Sequence, residues 1–300
     1  MNGATCLALA FSIMLPDSEY MERIENLLQK HFHGNNWTIT PTVEGQHKKS
    51  YLAQCAELKV FIKSGVPVVP LQRLSQLQVA PEIIGSGSIE GEPYVIQRYL
   101  AGAHPDRDWL THRLPLLAQL IKRYHMDQQL TASLTEQTAS TYEDHLQSGV
   151  EQLEKRLDAL DREVLHTSRI AGALYTLQLQ AQNFQAVKLV PVHPDPNTKN
   201  MLIVGDHLYL IDWDEITLSD PLRDIGLILW WYIPPQNWPE FFTAYGLQPD
   251  EASLRRIFWW CSYTSLAVAI WLAEHGHDCR PFLQDFLAAL AGENNPRAIF

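Results

Sequence analysis

Apolar residues first recur at helical spacing between Asp17 and Phe32, at Met21, Ile24, Leu27 and Leu28, with His31 in step. Asp17 or Ser18 stands where a helix cap belongs. The period then shortens. Residues 37–43, 50–54 and 58–63 are short and alternating or β-branched, which predicts three strands. Residues 45–49 make a polar turn between the first two. Residues 71–77 predict a short helix, and 80–84 and 93–98 two more strands joined by the turn-rich run GSGSIEGE. Beyond a hinge-like Tyr99-Leu100-Ala101-Gly102 the pattern turns helical. One helix is marked by Leu110, Leu114, Leu117, Ile121 and Tyr124, and another by Tyr142, Leu146, Val150, Leu153, Leu157 and Leu160. Residues 164–182 predict a third. Strand character returns over 187–212, where Met201–Val204 and His207–Ile211 read as a hairpin about Gly205-Asp206. From Leu254 the pattern is helical again.

This order predicts an α+β chain of two lobes: a β-rich one over 1–98 and a larger, mainly helical one over 99–300, with the hinge near 97–102. A ligand is expected in a cleft between such lobes. A length of 300 residues suits this division. With 34 acidic against 23 basic residues the formal charge is -11, which argues against a nucleic-acid partner and suits a cationic ligand. Cys6, Cys55, Cys261 and Cys279 form no CxxC pair, so free thiols in a reducing cytoplasm are expected rather than zinc or redox chemistry. The apolar stretch 4–15 lacks a preceding Lys or Arg and is shorter than the about 20 apolar residues that span a bilayer. It reads as a buried segment, and no membrane association is expected.

The stretch richest in chemistry runs from Val190 to Glu215. His193, Asp195 and Asn200 form an HxDxxxxN pattern, and Asp212 follows twelve residues after Asn200, at a strand end. A tight loop would hold Asp195 and Asn200, and the hairpin would return the chain so that Asp212 lands beside them. Two carboxylates and an amide oxygen then face one point, a donor set suited to Mg²⁺. In such a cluster Asp195 can take the proton of an attacking hydroxyl, while Asn200 and Asp212 hold the metal on a phosphate chain.

These residues resemble the catalytic core of the aminoglycoside phosphotransferase and choline kinase superfamily, relatives of protein kinases. The family's HGDxxxxN is matched by His193, Asp195 and Asn200, and its I-D-[WF]-[DE] by Ile211, Asp212, Trp213 and Asp214. The run Ser219-Asp220-Pro221-Leu222-Arg223-Asp224 resembles the family's G-D-P-x-x-D segment. The resemblance implies a bilobal kinase-like fold, Asp195 as catalytic base, Asn200 and Asp212 as metal ligands, and His193 as a brace of the catalytic loop. For Asp220 and Asp224 it implies structural roles, and helix capping is the expectation. It also implies Lys63 on the third strand as the lysine that binds phosphates, with Lys59 on the same strand face as fallback. Gly45 to Ser50 would be the loop over the phosphates. The backbone of Gln97, Arg98 and Tyr99 would meet adenine. ATP or GTP with Mg²⁺ would then donate a γ-phosphate to a small hydroxylated, cationic acceptor, and the enzyme would be a monomer or homodimer.

Two departures from the family pattern stand out. No glutamate follows Lys63 until Glu82, and Gln72 and Arg73 occupy the helix where kinases place the lysine's partner. The catalytic loop reads HPDP, so Pro194 fixes φ near -65° where the family has glycine. These departures support an alternative, a catalytically silent kinase-fold binding protein. The protein-kinase signature D-F-G is absent, and no A-P-E follows Asp212. For the acceptor, carboxylates would favour an aminoglycoside-type polyamine. Aromatic faces would favour choline, ethanolamine or thiamine-type cations. Trp231, Trp260 and Glu274 are the candidate contacts.

Overall fold

A computed structural model describes residues 18–32, 36–42, 50–56, 58–135 and 141–297. The expected N-terminal apolar segment, Cys6, Gly45 and the cap at Asp17 lie outside the described residues. The chain divides into two compact units, Met1–Val68 with Glu82–Tyr99, and Val69–Pro81 with Leu100–Phe300.

The first unit is a helix on an antiparallel sheet. Helix α1 (Ser18–Phe32) is followed by β1 (Thr38–Pro41), β2 (Ser50–Cys55) and β3 (Leu58–Ser64). After an excursion into the other unit, β4 (Ile83–Ile89) and β5 (Glu92–Arg98) complete a five-stranded sheet in the order β1-β2-β3-β5-β4. Strand alternation decides the core. Tyr51 and Ala53 of β2, Val60 and Ile62 of β3, and Tyr94 and Ile96 of β5 pack with Ile24 and Leu28 of α1. Lys59, Phe61 and Lys63 therefore point to the other face.

The run GSGSIEGE differs from its expected loop. It forms most of β4, and only Glu90-Gly91 turns, both with positive φ. Its glycines make room for neighbouring side chains. A Cβ on Gly87 would lie 2.8 Å from Tyr94 Oη, and one on Gly85 3.1 Å from the His31 ring. His31 Nε2 lies 3.1 Å from Tyr94 Oη, so α1 and β5 cover a strand that a side-chain pattern cannot reveal.

The second unit is mainly helical. It takes in most of α2 (Val68–Gln76), whose Arg73 pairs with Asp127 through two hydrogen bonds of 3.0 and 2.6 Å. The single helix expected over 110–124 is two, α3 (Arg107–Thr111) and α4 (Leu114–His125), because Pro115 opens a new helix at its first turn. Asp127 also caps α5 (Gln128–Thr135) by accepting from the Leu130 amide at 2.7 Å. Helices α6 (Tyr142–Asp158) and α7 (Ser168–Gln182) follow. Then come β6 (Val190–Val192), the hairpin of β7 (Met201–Val204) and β8 (His207–Leu210), and β9 (Thr217–Ser219), which pairs with β6. Helices α8 (Pro221–Tyr232), α9 (Trp238–Tyr245), α10 (Glu251–Glu274) and α11 (Arg280–Leu290) close the chain.

By length and composition α10 could cross a membrane, with mean hydropathy 1.2 in its most apolar window. Yet 56% of that window is buried, and α10 packs on α8 and α11 as a core helix. Among the described residues, Cys55, Cys261 and Cys279 stand in no disulfide.

Candidate active site

Strand β6 runs through the core and delivers His193, which is fully buried. Its amide donates to Asp224 Oδ2 at 2.9 Å. Its ring spans two segments. Nε2 lies 2.8 Å from the Ile211 carbonyl, which can only accept, so Nε2 carries the proton. Nδ1 is then the acceptor for the Asp195 amide at 3.1 Å. Burial holds this imidazole below its ordinary pKa, which keeps the one tautomer that serves both bonds. Trp213, itself buried, packs its ring 4.5 Å from that of His193 and donates Nε1–H to the Leu210 carbonyl at 2.9 Å. The tryptophan of I-D-W-D thus acts as the floor under the loop.

Asp195 is exposed at the loop's tip. Its Oδ2 accepts from Asn197 Nδ2 at 2.6 Å and from Asn200 Nδ2 at 3.3 Å. The same Asn200 amide bonds the Asp195 carbonyl at 2.9 Å. Asn197 Oδ1 in turn caps the 3-10 turn Thr198–Asn200, taking the amides of Lys199 and Asn200 at 2.8 and 3.2 Å. The sequence reading passed over Asn197, for which an Asx turn ahead of a short helix is the only local signal. Pro194 proves compatible with this loop. The bonds that shape it come from the amides of His193, Asp195, Asn197 and Asn200, and none is asked of residue 194.

The hairpin does what its turn chemistry predicts. Across its base the Ile211 amide donates to the Asn200 carbonyl at 2.8 Å, which sets Asp212 one residue from Asn200. Asp212 is exposed and has φ of 64°, a left-handed conformation unusual for a side-chain-bearing residue and characteristic of functional positions. Asn200 gives its amide N–H to Asp195, so its amide oxygen remains for a cation. The side-chain oxygens of Asn200 and Asp212 are hard donors that fit Mg²⁺ and would hold it. Among the described residues no group of three or more His, Cys, Asp or Glu gathers to hold a metal by protein ligands alone.

Asp220 and Asp224 divide their roles. Asp220 caps α8 by accepting from the Leu222 amide at 2.9 Å, as expected. Asp224 caps nothing. It is a buried hub that accepts from the His193 amide, from Tyr124 Oη at 2.6 Å and from His125 Nε2 at 3.2 Å. At the other end of α8, the Tyr232 hydroxyl lies near Thr198 and feels the charges of Asp195 and Arg107. Burial, ahead of these, raises its pKa.

In the first unit, Lys63 and Ser50 stand directly opposite in the β2–β3 register. Lys59 lies four residues away on the same face, 5.5 Å over the Tyr99 ring. Gln97 is buried and pairs with Phe61 of β3 and Ile83 of β4. The Arg98 amide donates to the Glu82 carbonyl at 2.8 Å and the Tyr99 amide to the Lys59 carbonyl at 3.2 Å. Both are thus occupied within the unit, and adenine could meet only carbonyls at these two residues. Of the residues considered for an acceptor, Glu274 is tied to Arg156 at 2.9 and 2.7 Å. Trp260 is buried, and Trp231 donates toward Asp285 at 3.4 Å.

A helix-backed antiparallel sheet, followed by a helical unit with an Asp–Asn loop and a hairpin ending in aspartate, defines a protein-kinase-like phosphotransferase fold. The family model described as "Phosphotransferase enzyme family" matches residues 51–257. Solved structures agree in fold. A choline/ethanolamine kinase family protein from Mesorhizobium loti is 16% identical, with 92% of this chain and 95% of that one covered at a TM-score of 0.66. Choline kinase LicA from Streptococcus pneumoniae is 15% identical, with 92% and 99% covered and a TM-score of 0.64. A thermostable mutant of aminoglycoside phosphotransferase APH(4)-Ia, in a ternary complex with AMP-PNP and hygromycin B, is 17% identical, with 90% and 96% covered and a TM-score of 0.60. The chain belongs to this phosphotransferase family, that of the aminoglycoside phosphotransferases and choline kinases, and is a small-molecule kinase.

Proposed function

We propose that this kinase moves the γ-phosphate of ATP or GTP to a hydroxyl of a small cationic acceptor. An aminoglycoside-type antibiotic comes first, and a choline, ethanolamine or thiamine-type metabolite next. One observation carries the reading: the Asp195 carboxylate stands exposed at a loop whose every turn is pinned by named hydrogen bonds. Oδ2 is held by two asparagine amides, so Oδ1 is the atom that takes the proton of the attacking hydroxyl. Asn200 and Asp212 would hold Mg²⁺, which when bound neutralises charge on the phosphate oxygens. Lys63, with Ser50 opposite, would bind the phosphates together with Gly45, which lies between β1 and β2 in sequence. Adenine would lie against the carbonyls of Gln97, Arg98 and Tyr99. The Tyr232 hydroxyl, close enough to sense Asp195, is placed to touch the acceptor. A cytoplasmic enzyme, monomeric or homodimeric, fits the acidic chain.

ADP release from ATP and Mg²⁺ against aminoglycosides, other hydroxylated antibiotics, choline, ethanolamine and thiamine tests this. Turnover with one acceptor should fall by about 10²- to 10⁴-fold in Asp195→Ala while nucleotide still binds. Nucleotide binding with no acceptor-dependent release from any of them would favour the silent, binding-only alternative.

A further inference from the structure

The acids at the start of α8 are engaged. Asp220 accepts from Tyr142 Oη at 2.9 Å and pairs with Arg256 at 2.9 Å, and Asp224 serves the His193 loop. Arg223 lies between them in sequence and shares neither. Its guanidinium sits over the Trp260 ring, 5.3 Å from the centroid, and it makes no hydrogen bond or ion pair among the described residues. A half-buried arginine without a carboxylate is unusual in a chain of 34 acids.

Arg223 borders a pocket of about 130 Å³ between α6, α8 and α10, with His145, Gly149, Trp259, Trp260 and Tyr263 among its walls and no carboxylate among the described residues that line it. Two donors there are cut off from solvent and unbonded, Arg223 Nε and Trp260 Nε1. Trp260 is 2% exposed. Buried donors are almost always bonded, and the stacking on Trp260 engages the face of the guanidinium, leaving its in-plane N–H groups for an acceptor. Water could accept from them, but it would leave the cation unneutralised. An oxyanion meets both needs, and the aromatic walls suit a compact apolar body. Burial and then the Arg223 charge hold His145 below its ordinary pKa, against a smaller opposing effect of the Asp220 charge, so the Arg223 charge is felt in the pocket.

We propose that this pocket binds a small oxyanion, a carboxylate or phosphate group on a compact metabolite, with Arg223 and Trp260 Nε1 as its donors. It is separate from the transfer site: Tyr232, beside Asp195, lies nine residues on along α8, or about 13 Å.

Titration of the full chain with inorganic phosphate, acetate and benzoate, followed by tryptophan fluorescence at constant ionic strength, tests this. At least one should saturate with Kd of about 1 mM or below. Arg223→Gln should weaken it at least tenfold and Trp260→Phe several-fold, with nucleotide affinity unchanged. Thermal unfolding checks that each variant folds, and Trp260→Phe carries the test if Arg223→Gln does not. Saturation by none of the three at ten times that concentration overturns the proposal. So does binding that neither substitution weakens, which would place the anion elsewhere. Binding should survive Asp195→Ala, so this outcome stands apart from that of the transfer reading.

Discussion

At the scale of single residues, His193 couples protonation to the shape of the catalytic loop. Its Nδ1 must stay bare to accept the Asp195 amide, and burial lowers its pKa to keep it so. In the unfolded chain the imidazole titrates near 6.5. Between that value and the lower folded one, the unfolded chain binds more protons, so stability is full above about pH 6.5 and declines as the pH falls through this window. His145 adds a contribution of the same sign. Turnover should show an acid limb in the same window, because a proton on Nδ1 would face the Asp195 N–H. A His193→Gln variant should lose this part of the slope in denaturant unfolding, and an unchanged slope would refute the assignment. Asp212 tests the opposite balance. At φ of 64° a glycine relieves strain, so Asp212→Gly should gain about 1 kcal/mol in stability and lose turnover. A variant that is both less stable and active would contradict the role given to this carboxylate.

At the scale of elements, β4 shows how glycine can serve a strand. Gly87→Ala would press a methyl against Tyr94 Oη, and overpacking of this kind costs about 1–3 kcal/mol. In a Tyr94→Phe background the nearest clashing atom is gone, so the loss on adding the methyl should shrink. Equal losses in both backgrounds, read by chemical denaturation, would place the strain elsewhere. This strand was hidden in the sequence because Gly and Ser carry no pattern of alternation. Where patterns existed they were legible. Helix α1, strands β2 and β3 and the β7–β8 hairpin stand within a residue or so of their expected ranges. The break between α3 and α4 was overlooked, since the apolar spacing runs on through Pro115.

At the scale of the whole molecule, Asp224 ties the catalytic loop to the helical unit. It joins β6, α4 and α8 through the His193 amide, Tyr124 and His125, and His125 reaches on to Tyr245 of α9 at 2.8 Å. Asp224→Ala should lower stability by about 3 kcal/mol or more, since it strands several buried donors at once. Turnover should fall with it, because the loop loses its anchor. A variant with near-native stability in urea would show that the hub is dispensable. The proposed catalytic motif stands out in the sequence because Asp195, Asn200 and Asp212 are close together and joined by a hairpin with strong turn chemistry. Asp224, Asn197 and Tyr232 do not, since their roles depend on partners up to 100 residues away or on a loop shape that Asx chemistry alone leaves open.

The sequence by itself determined the class of fold and the phosphotransferase family, and it singled out the residues proposed to carry the chemistry, because short-range spacing encodes helices, strands, turns and the HxDxxxxN loop. Tertiary structure decided which nitrogen of His193 carries the proton, that Asp212 is strained, that Asp224 is a hub rather than a cap, and that Arg223 faces a pocket lined by no carboxylate among the described residues. Each of these depends on side chains distant in sequence being packed at one point, where burial, charge and hydrogen-bond geometry act together, and no local pattern records that meeting.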